Sequence, residues 1–450
     1  MKHLLTLCSI LLATLSSVAK KPNFIVIFCD DMGYADIGPF GAKGYETPNL
    51  DKMAGEGMVF TDFYSGHSFC TPSRASLMTG RFPRRLGLTR NFSPKSKDGL
   101  STDETLIPEI LRQAGYATAI YGKWHLGHQE KYLPTNRGFD EFYGIPYSND
   151  MWPYHPTVKS FPDLPLYEGT KIMNPKVSPE DQKKLTGELS RRAVKFIEKN
   201  KAKPFFIYLP HPQPHVPLYA GKEYEGKTAQ GLYSDVIREI DAGVGQIMKA
   251  LEDNGIDDNT LVVFTSDNGP WLSYGNHGGS AKPLRNGKGT HFEGGYRVPC
   301  IMRWPAVIPS GKKNGEVCGA YDLLPTFAAL ASAPLPKKKL DGKDITALLK
   351  GTGESPHEAI FMGAGPHAVR SGKWKLILPH RTRRVSQPGK DGFPGKHESF
   401  NQPLALYNLQ TDVSESNNIA ETHPEVVTGL KKLLEDYKQE TSNRSTAPKK

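Results

Sequence analysis

The sequence predicts an α/β protein. A large mixed, mostly parallel sheet sandwiched by helices is expected, followed by a smaller C-terminal α+β region of antiparallel sheet and one helix. Three observations lead there. Four continuous apolar runs of strand length, Phe24–Cys29, Tyr116–Tyr121, Phe205–Leu209 and Leu261–Ser266, alternate with stretches of helical period. Each run passes at once into a polar cluster, as at the carboxyl edge of an open parallel sheet. After Gly351 the apolar runs shorten and a single helical stretch follows them.

At the start, Lys2 and His3 precede an apolar run from Leu4 to Leu15, and Ser17-Val18-Ala19 follows. That order of charged, apolar and small residues is a secretory signal, so residues 1–19 are set aside and the mature chain is expected to begin near Lys20. The protein is expected to be exported, periplasmic or secreted. No later stretch approaches the roughly 20 apolar residues of a membrane helix, so no stable membrane insertion is expected. The remaining chain divides into an α/β domain over 20–350 and a small α+β subdomain over 351–450. Cys29, Cys70, Cys300 and Cys318 remain after the leader, too few for a disulfide framework. The formal charge of +10 suits sulfated glycans, nucleic acid or simply a solvated basic surface. The basic residues are scattered and carry no zinc-finger or RNA-binding signature, so no nucleic acid partner is expected.

Phe24–Cys29 is a buried strand that runs into Asp30 and Asp31. Adjacent carboxylates repel unless a cation sits between them, the alternative being a turn with solvated acids. A helix begins at Thr47-Pro48 and is expected to run through Met53, Ala54 and Met58. The stretch Cys70 to Arg81, C-T-P-S-R-A-S-L-M-T-G-R, should open a second helix with Pro72 in its first turn. The unpaired N–H groups there favour an anion, and Arg74 lies one turn on. A buried thiol at a helix start is the plainer reading.

Leu106–Ala114 is helical, with Pro108 early and Gly115 as its stop. The strand Tyr116–Tyr121 ends in Gly122-Lys123-Trp124-His125. From His128 to Lys183 the composition predicts long loops over the active face. Leu185–Asn200 is an amphipathic helix, and the strand after it delivers His211 and His215 into H-P-Q-P-H-V-P. Prolines on both sides of His215 stiffen its backbone, useful for a positioned acid or simply for a turn.

Tyr233–Leu251 is a further amphipathic helix, and Leu261–Ser266 runs into Asp267-Asn268-Gly269. That pair offers hard oxygen ligands for Ca²⁺ or Mg²⁺. The loop Asn286-Gly287-Lys288-Gly289 lets backbone approach a ligand, with Lys288 as a cation, and it is not a nucleotide P-loop. Val298–Trp304 is a strand and Asp322–Leu330 a helix. Short strands at Ala359–Met362, Ala368–Arg370, Trp374–Leu378 and Leu404–Tyr407 precede a helix over Pro424–Glu440. Residues 381–402 read as a mobile basic loop and the last ten residues as disordered.

Taken together, the clusters make a cationic pocket for a tetrahedral oxyanion. D-D-M-G-Y-A-D-I-G from Asp30, the Cys70 motif, G-Y-A-T-A-I-Y-G-K-W-H from Gly115, P-H-V-P from Pro214, S-D-N-G from Ser266 and G-K-G-T-H-F-E-G-G from Gly287 span most of the chain. In that set the sequence resembles the type I, formylglycine-dependent sulfatases of the alkaline phosphatase-like superfamily. The resemblance implies that Cys70 is converted to formylglycine by a separate formylglycine-generating, sulfatase-maturating enzyme. It implies one Ca²⁺ held by Asp30, Asp31, modified Cys70, Asp267 and Asn268. Arg74 and Lys123 would hold the aldehyde hydrate, whose one hydroxyl attacks sulfur. His215 and Lys288 would grip the sulfate, and His215 or Lys288 would protonate the leaving alcohol. His125 would take a proton from the second hydroxyl as sulfate departs.

The leader, basic balance and long loops favour a sulfated poly- or oligosaccharide substrate over a small aryl ester. Arg90, Trp152, His155, His277 and Arg285 are candidate sugar contacts by location alone. Two alternatives stand beside this reading: a phosphate or phosphonate ester hydrolase on the same fold, and a non-catalytic binder of sulfated glycans if Cys70 stays unmodified.

Overall fold

The computed structural model describes residues 20–442, so the predicted leader at 1–19 lies outside the described residues. Ten strands form one sheet in the order Lys312–Asn314, Met58–Phe60, Cys300–Arg303, Thr260–Ser266, Asn23–Cys29, Phe205–Pro210, Ala117–Tyr121, Glu141–Gly144, Leu166–Glu168 and Lys171–Asn174. The run from Thr260–Ser266 to Glu141–Gly144 is parallel, with an antiparallel strand on each side of it.

Alternate residues of the central strands go to opposite faces. Ile25, Ile27, Ile207, Leu209, Val262 and Phe264 pack with the apolar stripes of the helices Pro179–Asn200 and Leu232–Asp253. Phe24, Val26 and Phe28 face the other way, in one cluster with Leu77 and Met78 of the helix Cys70–Thr79 and with Leu323, Leu324 and Phe327. Both faces are dry, which is why these strands read as unbroken apolar runs. Each such side chain contributes ~1.5–3 kcal/mol by burial, so the frame under the site is stiff. Cys29 is in register with Ser266, Phe28 with Pro210 and Ile120 with Tyr208. The residues that follow these strands therefore emerge at one edge, as expected.

Some expectations change. The helix Pro48–Glu56 stops before Met58, and Met58–Phe60 is a strand in which Val59 is in register with Ile301. The helix expected at Leu185 begins at Pro179, because Ser178 Oγ accepts from the Asp181 N–H and the Asp181 carboxylate accepts from the Ser178 N–H. Its first turns are polar, so the apolar period starts later than the helix. Within 128–183, read as loops, three short strands extend the sheet. Residues 381–402, read as a mobile loop, form an antiparallel hairpin of His380–Gln387 and Lys396–Gln402. Of the predicted disordered tail, Thr441 and Ser442 end the last helix and 443–450 lie outside the described residues. Cys29, Cys70, Cys300 and Cys318 are all free and buried.

The C-terminal sheet has four antiparallel strands in the order Ile360–Met362, Ala368–Ser371, Trp374–Ile377 and Ala405–Asn408. Val427, Leu430 and Leu434 of the helix Pro424–Ser442 cover one face. The other face packs on Tyr64, Phe82, Phe292 and Tyr296. Within that junction Lys375 Nζ lies 2.9 Å from Glu293 and 2.8 Å from Glu415, all three side chains wholly buried. Lys375→Met leaves two buried carboxylates without their shared cation. It is expected to lower stability by about 3–5 kcal/mol in urea unfolding. A loss below about 1 kcal/mol would show that the junction does not depend on this cation.

Candidate active site

The helix Cys70–Thr79 starts from an extended Phe69 and stops at Gly80, whose φ of 65° ends it and whose N–H donates to the Ser76 carbonyl. All ten helix residues are buried. Cys70 is therefore carried at the head of a helix sunk under the carboxyl edge of the sheet. Its Sγ lies 3.3 Å from Asp30 Oδ1 and 3.5 Å from Lys288 Nζ. Burial, with Asp267 and Asp30 nearby, pushes the thiol well above the ordinary cysteine range.

The predicted catalytic and metal-binding positions converge around it. Arg74 donates twice to Asp267 Oδ2, from Nε at 3.0 Å and Nη2 at 2.8 Å, and its Nη2 lies 3.5 Å from Asp30. Lys123 Nζ pairs with Asp30 and donates to Ser148 Oγ at 3.1 Å. Lys288 Nζ lies 2.7 Å from Asp31 Oδ2 and 4.5 Å from the centre of the Trp271 ring. Burial works against its charge, but Asp31 and Cys70 outweigh it and hold the ammonium above its usual range. Asp31 N–H donates to Asp267 Oδ1 and Asn268 Nδ2 donates to Asp31 Oδ1 at 2.6 Å, while Asn268 Oδ1 is buried without a partner. Asp31 and His125 have φ of 61° and 60°, a costly region for residues other than glycine that clusters at functional sites.

The two histidines are each anchored through one ring nitrogen. His125 Nε2 is 2.9 Å from the Phe92 carbonyl, which can only accept, so Nε2 carries the hydrogen and the buried, unpartnered Nδ1 carries the lone pair. Burial and the Lys123 charge push this ring well below the usual histidine range, so it is neutral. His215 has the opposite arrangement. Its Nδ1 donates to the Val216 carbonyl, and its Nε2 lies 3.5 Å from Asp31 Oδ2, an acceptor for an Nε2 hydrogen when the ring carries both. The Trp271 ring packs on it at 5.4 Å.

The five candidate sugar contacts divide. His155 Nε2 lies 3.7 Å from Asp150, and burial lowers the ring's pKa. Trp152 is buried with its indole N–H unpartnered, against Tyr154 and Tyr219. His277 lies against the C-terminal hairpin near Asp391. Arg90 is exposed. Arg285 is anchored on the C-terminal sheet. Its Nη1 donates to the Tyr407 hydroxyl at 3.2 Å and the Glu415 carbonyl at 2.8 Å, tying the catalytic part to the C-terminal sheet. Sequence reasoning missed Ser148, which carries no motif, and Trp271, whose only signal is that it closely follows Asp267-Asn268-Gly269-Pro270.

The sulfatase family profile matches residues 22–333, and the profile for the C-terminal region of aryl-sulfatase matches residues 355–448. The chain belongs to the sulfatase family. It is 39% identical to arylsulfatase A of Bos taurus over 464 aligned residues, covering 96% of this chain and 90% of that protein. It is 38% identical to N-acetylgalactosamine-6-sulfatase of Canis lupus familiaris, covering 84% and 76% respectively. The solved structure of Ps i-CgsB in complex with k-i-k-neocarrahexaose superposes with a TM-score of 0.79 at 35% identity, covering 93% of each chain. As a member of this sulfatase family the protein is an enzyme, a sulfuric ester hydrolase with a nucleophile derived from a cysteine. Among the described residues no helix is long and apolar enough to cross a membrane.

Proposed function

We propose that this sulfatase releases inorganic sulfate from a sulfated carbohydrate, with residue 70 as formylglycine and one Ca²⁺ at the strand-end acids. The observation that carries this reading is Cys70 at the head of a buried helix, among three buried carboxylates and three buried cations.

The donor set fits a hard divalent cation. Ligand atoms of Asp30, Asp31, Cys70 and His215 lie within 4.8 Å of one another, close to twice a calcium–oxygen distance of about 2.4 Å. Asn268 Oδ1 is a buried oxygen without a partner. Asp30, Asp31, Asp267, Asn268 and residue 70 would hold Ca²⁺, leaving His215 for proton transfer. Formylglycine supplies a hydrated aldehyde with two hydroxyls, and Ca²⁺ supplies positive charge for the sulfate.

The chain's own residues do the rest. Three cations already neutralise the three acids, so a divalent cation among those acids would let Lys123 and Lys288 turn toward an incoming anion. Arg74, fixed by Asp267, keeps a planar cation beside residue 70. His215 Nε2 is the atom suited to give a proton to the leaving sugar oxygen, and His125 Nδ1 the atom suited to take one. N-acetylgalactosamine-6-sulfatase and the neocarrahexaose complex are named for carbohydrates, which together with the basic balance supports a sulfated saccharide as substrate. In this reading 1–19 is a signal peptide, 20–350 is the catalytic domain, 351–450 is a C-terminal subdomain, and the protein works outside the cytoplasm.

Mass spectrometry of the peptide containing residue 70, beside sulfate release from sulfated oligosaccharides, tests this. Protein produced with a maturating enzyme is expected to carry formylglycine and to release sulfate, and Cys70→Ala to release none. Full activity from protein whose residue 70 is wholly cysteine would overturn it.

A further inference from the structure

The hairpin His380–Gln387 and Lys396–Gln402 is docked on the active site by its backbone. Gly389 and Gly395 N–H donate to the Ser273 carbonyl at 2.8 and 2.7 Å, and Asn276 and Asp391 exchange two hydrogen bonds. Asn286 Nδ2 donates to the Arg383 carbonyl at 3.0 Å. These contacts fix the hairpin to the turn that follows Trp271 and to the loop that carries Lys288. Arg383 is brought to the rim. Its Nη2 is 2.8 Å from where a Cβ on Gly289 would lie, and the Phe69 ring is 2.9 Å from that point. Gly289 follows Lys288 and Phe69 precedes Cys70, so the guanidinium borders both halves of the site.

Arg383 differs from the other cations here. Arg74, Lys123 and Lys288 each sit on a carboxylate. On the opposite face of the hairpin, Arg384 lies 2.9 Å from Glu398, and the tip acid Asp391 is engaged by Asn276. Among the described residues no carboxylate pairs with Arg383, and no side-chain hydrogen bond holds it, although it is half-buried against Phe69 and Gly289. Burial lowers its pKa with nothing charged to compensate. A partly desolvated guanidinium with an open fork is a bidentate receptor for a carboxylate or sulfate.

We propose that Arg383 binds a second anionic group, a carboxylate or a sulfate, on the same substrate molecule whose sulfate enters the residue-70 pocket. This rests on the sulfatase reading of that pocket and makes Arg383 a specificity determinant. The enzyme then prefers saccharides carrying at least two negative charges.

The test is titration calorimetry on full-length protein with residue 70 left as cysteine, so that binding is read without turnover. The probes are a disulfated disaccharide, a monosulfated disaccharide with a uronate carboxylate, and a monosulfated neutral disaccharide. Wild type is expected to bind one or both dianions at least about 10-fold tighter than the neutral-sugar monosulfate. Arg383→Ala should remove about 10- to 100-fold of affinity for that dianion and much less for the monosulfate. Arg383→Lys should restore part of the preference, and Arg384→Ala should keep all of it. The dianion that benefits tells sulfate from carboxylate. Equal affinity of wild type for all three probes, or an equal loss on all three in Arg383→Ala, would overturn the proposal. If the Arg383-dependent preference is found but matured protein releases no sulfate from any probe, the hydrolase reading fails and the anion site stands.

Discussion

Asp267→Ala is expected to lower sulfate release by at least about 10²–10³-fold and also to weaken the fold. The first effect follows from losing both a proposed metal ligand and the anchor of Arg74, whose guanidinium donates twice to Asp267 Oδ2. The second follows because Arg74 is wholly buried and would keep only Asp30, at 3.5 Å, as a carboxylate partner, beside the Lys123 carbonyl at 3.2 Å. Removing one partner of a buried ion pair costs about 3–5 kcal/mol. Position on a loop after a strand suggests a tolerant site; the buried pairing with Arg74 says otherwise. Circular dichroism and urea unfolding beside sulfate release separate the two effects. Lys375→Met is the control, since it should be destabilised similarly at a junction away from the chemistry and retain turnover where it is folded. An Asp267→Ala protein with near wild-type turnover would remove the carboxylate from the site.

Much of the site was legible because parallel strands share an edge. Asp30, Lys123 and Asp267 each closely follow an apolar run, and burial on both faces makes such runs readable one at a time. Which ring nitrogen of His125 and of His215 faces the pocket was not legible, because it depends on the carbonyls of Phe92 and Val216. Nor was the role of Arg285. Its partners Tyr407 and Glu415 are more than a hundred residues away in the chain, beyond the reach of any local pattern. The hairpin over 380–402 was hidden for a related reason. Its strands are polar and rich in charge, so alternation gives no signal, and its anchors at Ser273 and Asn276 are backbone and amide contacts that composition does not carry. Local pattern finds what is buried in the sheet and misses what is docked on it.

Exchange of His215 for alanine is expected to hurt poor leaving groups most. His215 Nδ1 is tied to the Val216 carbonyl, so in the doubly protonated ring Nε2, 3.5 Å from Asp31 Oδ2, is the atom that hands over a proton. A sugar alkoxide is strongly basic and needs that proton in the transition state, whereas a nitrophenolate does not. General-acid help is worth about 10²–10⁴-fold, so His215→Ala should lose on that order of kcat/KM on a sulfated sugar and clearly less on nitrophenyl sulfate. Lys288 is held differently. Its ammonium rests between Asp31, Cys70 and the Trp271 ring, and against the cost of burial the nearby carboxylates, Asp31 first, keep it charged, which suits binding sulfate more than releasing a proton. Lys288→Ala should therefore slow both substrates alike. The measurement is kcat/KM for both variants on both substrates, at matched metal and formylglycine content. If the leaving-group sensitivity appears in Lys288→Ala and not in His215→Ala, the two roles are exchanged. If neither variant shows it, the proton comes from another group, and His125 is the next to test.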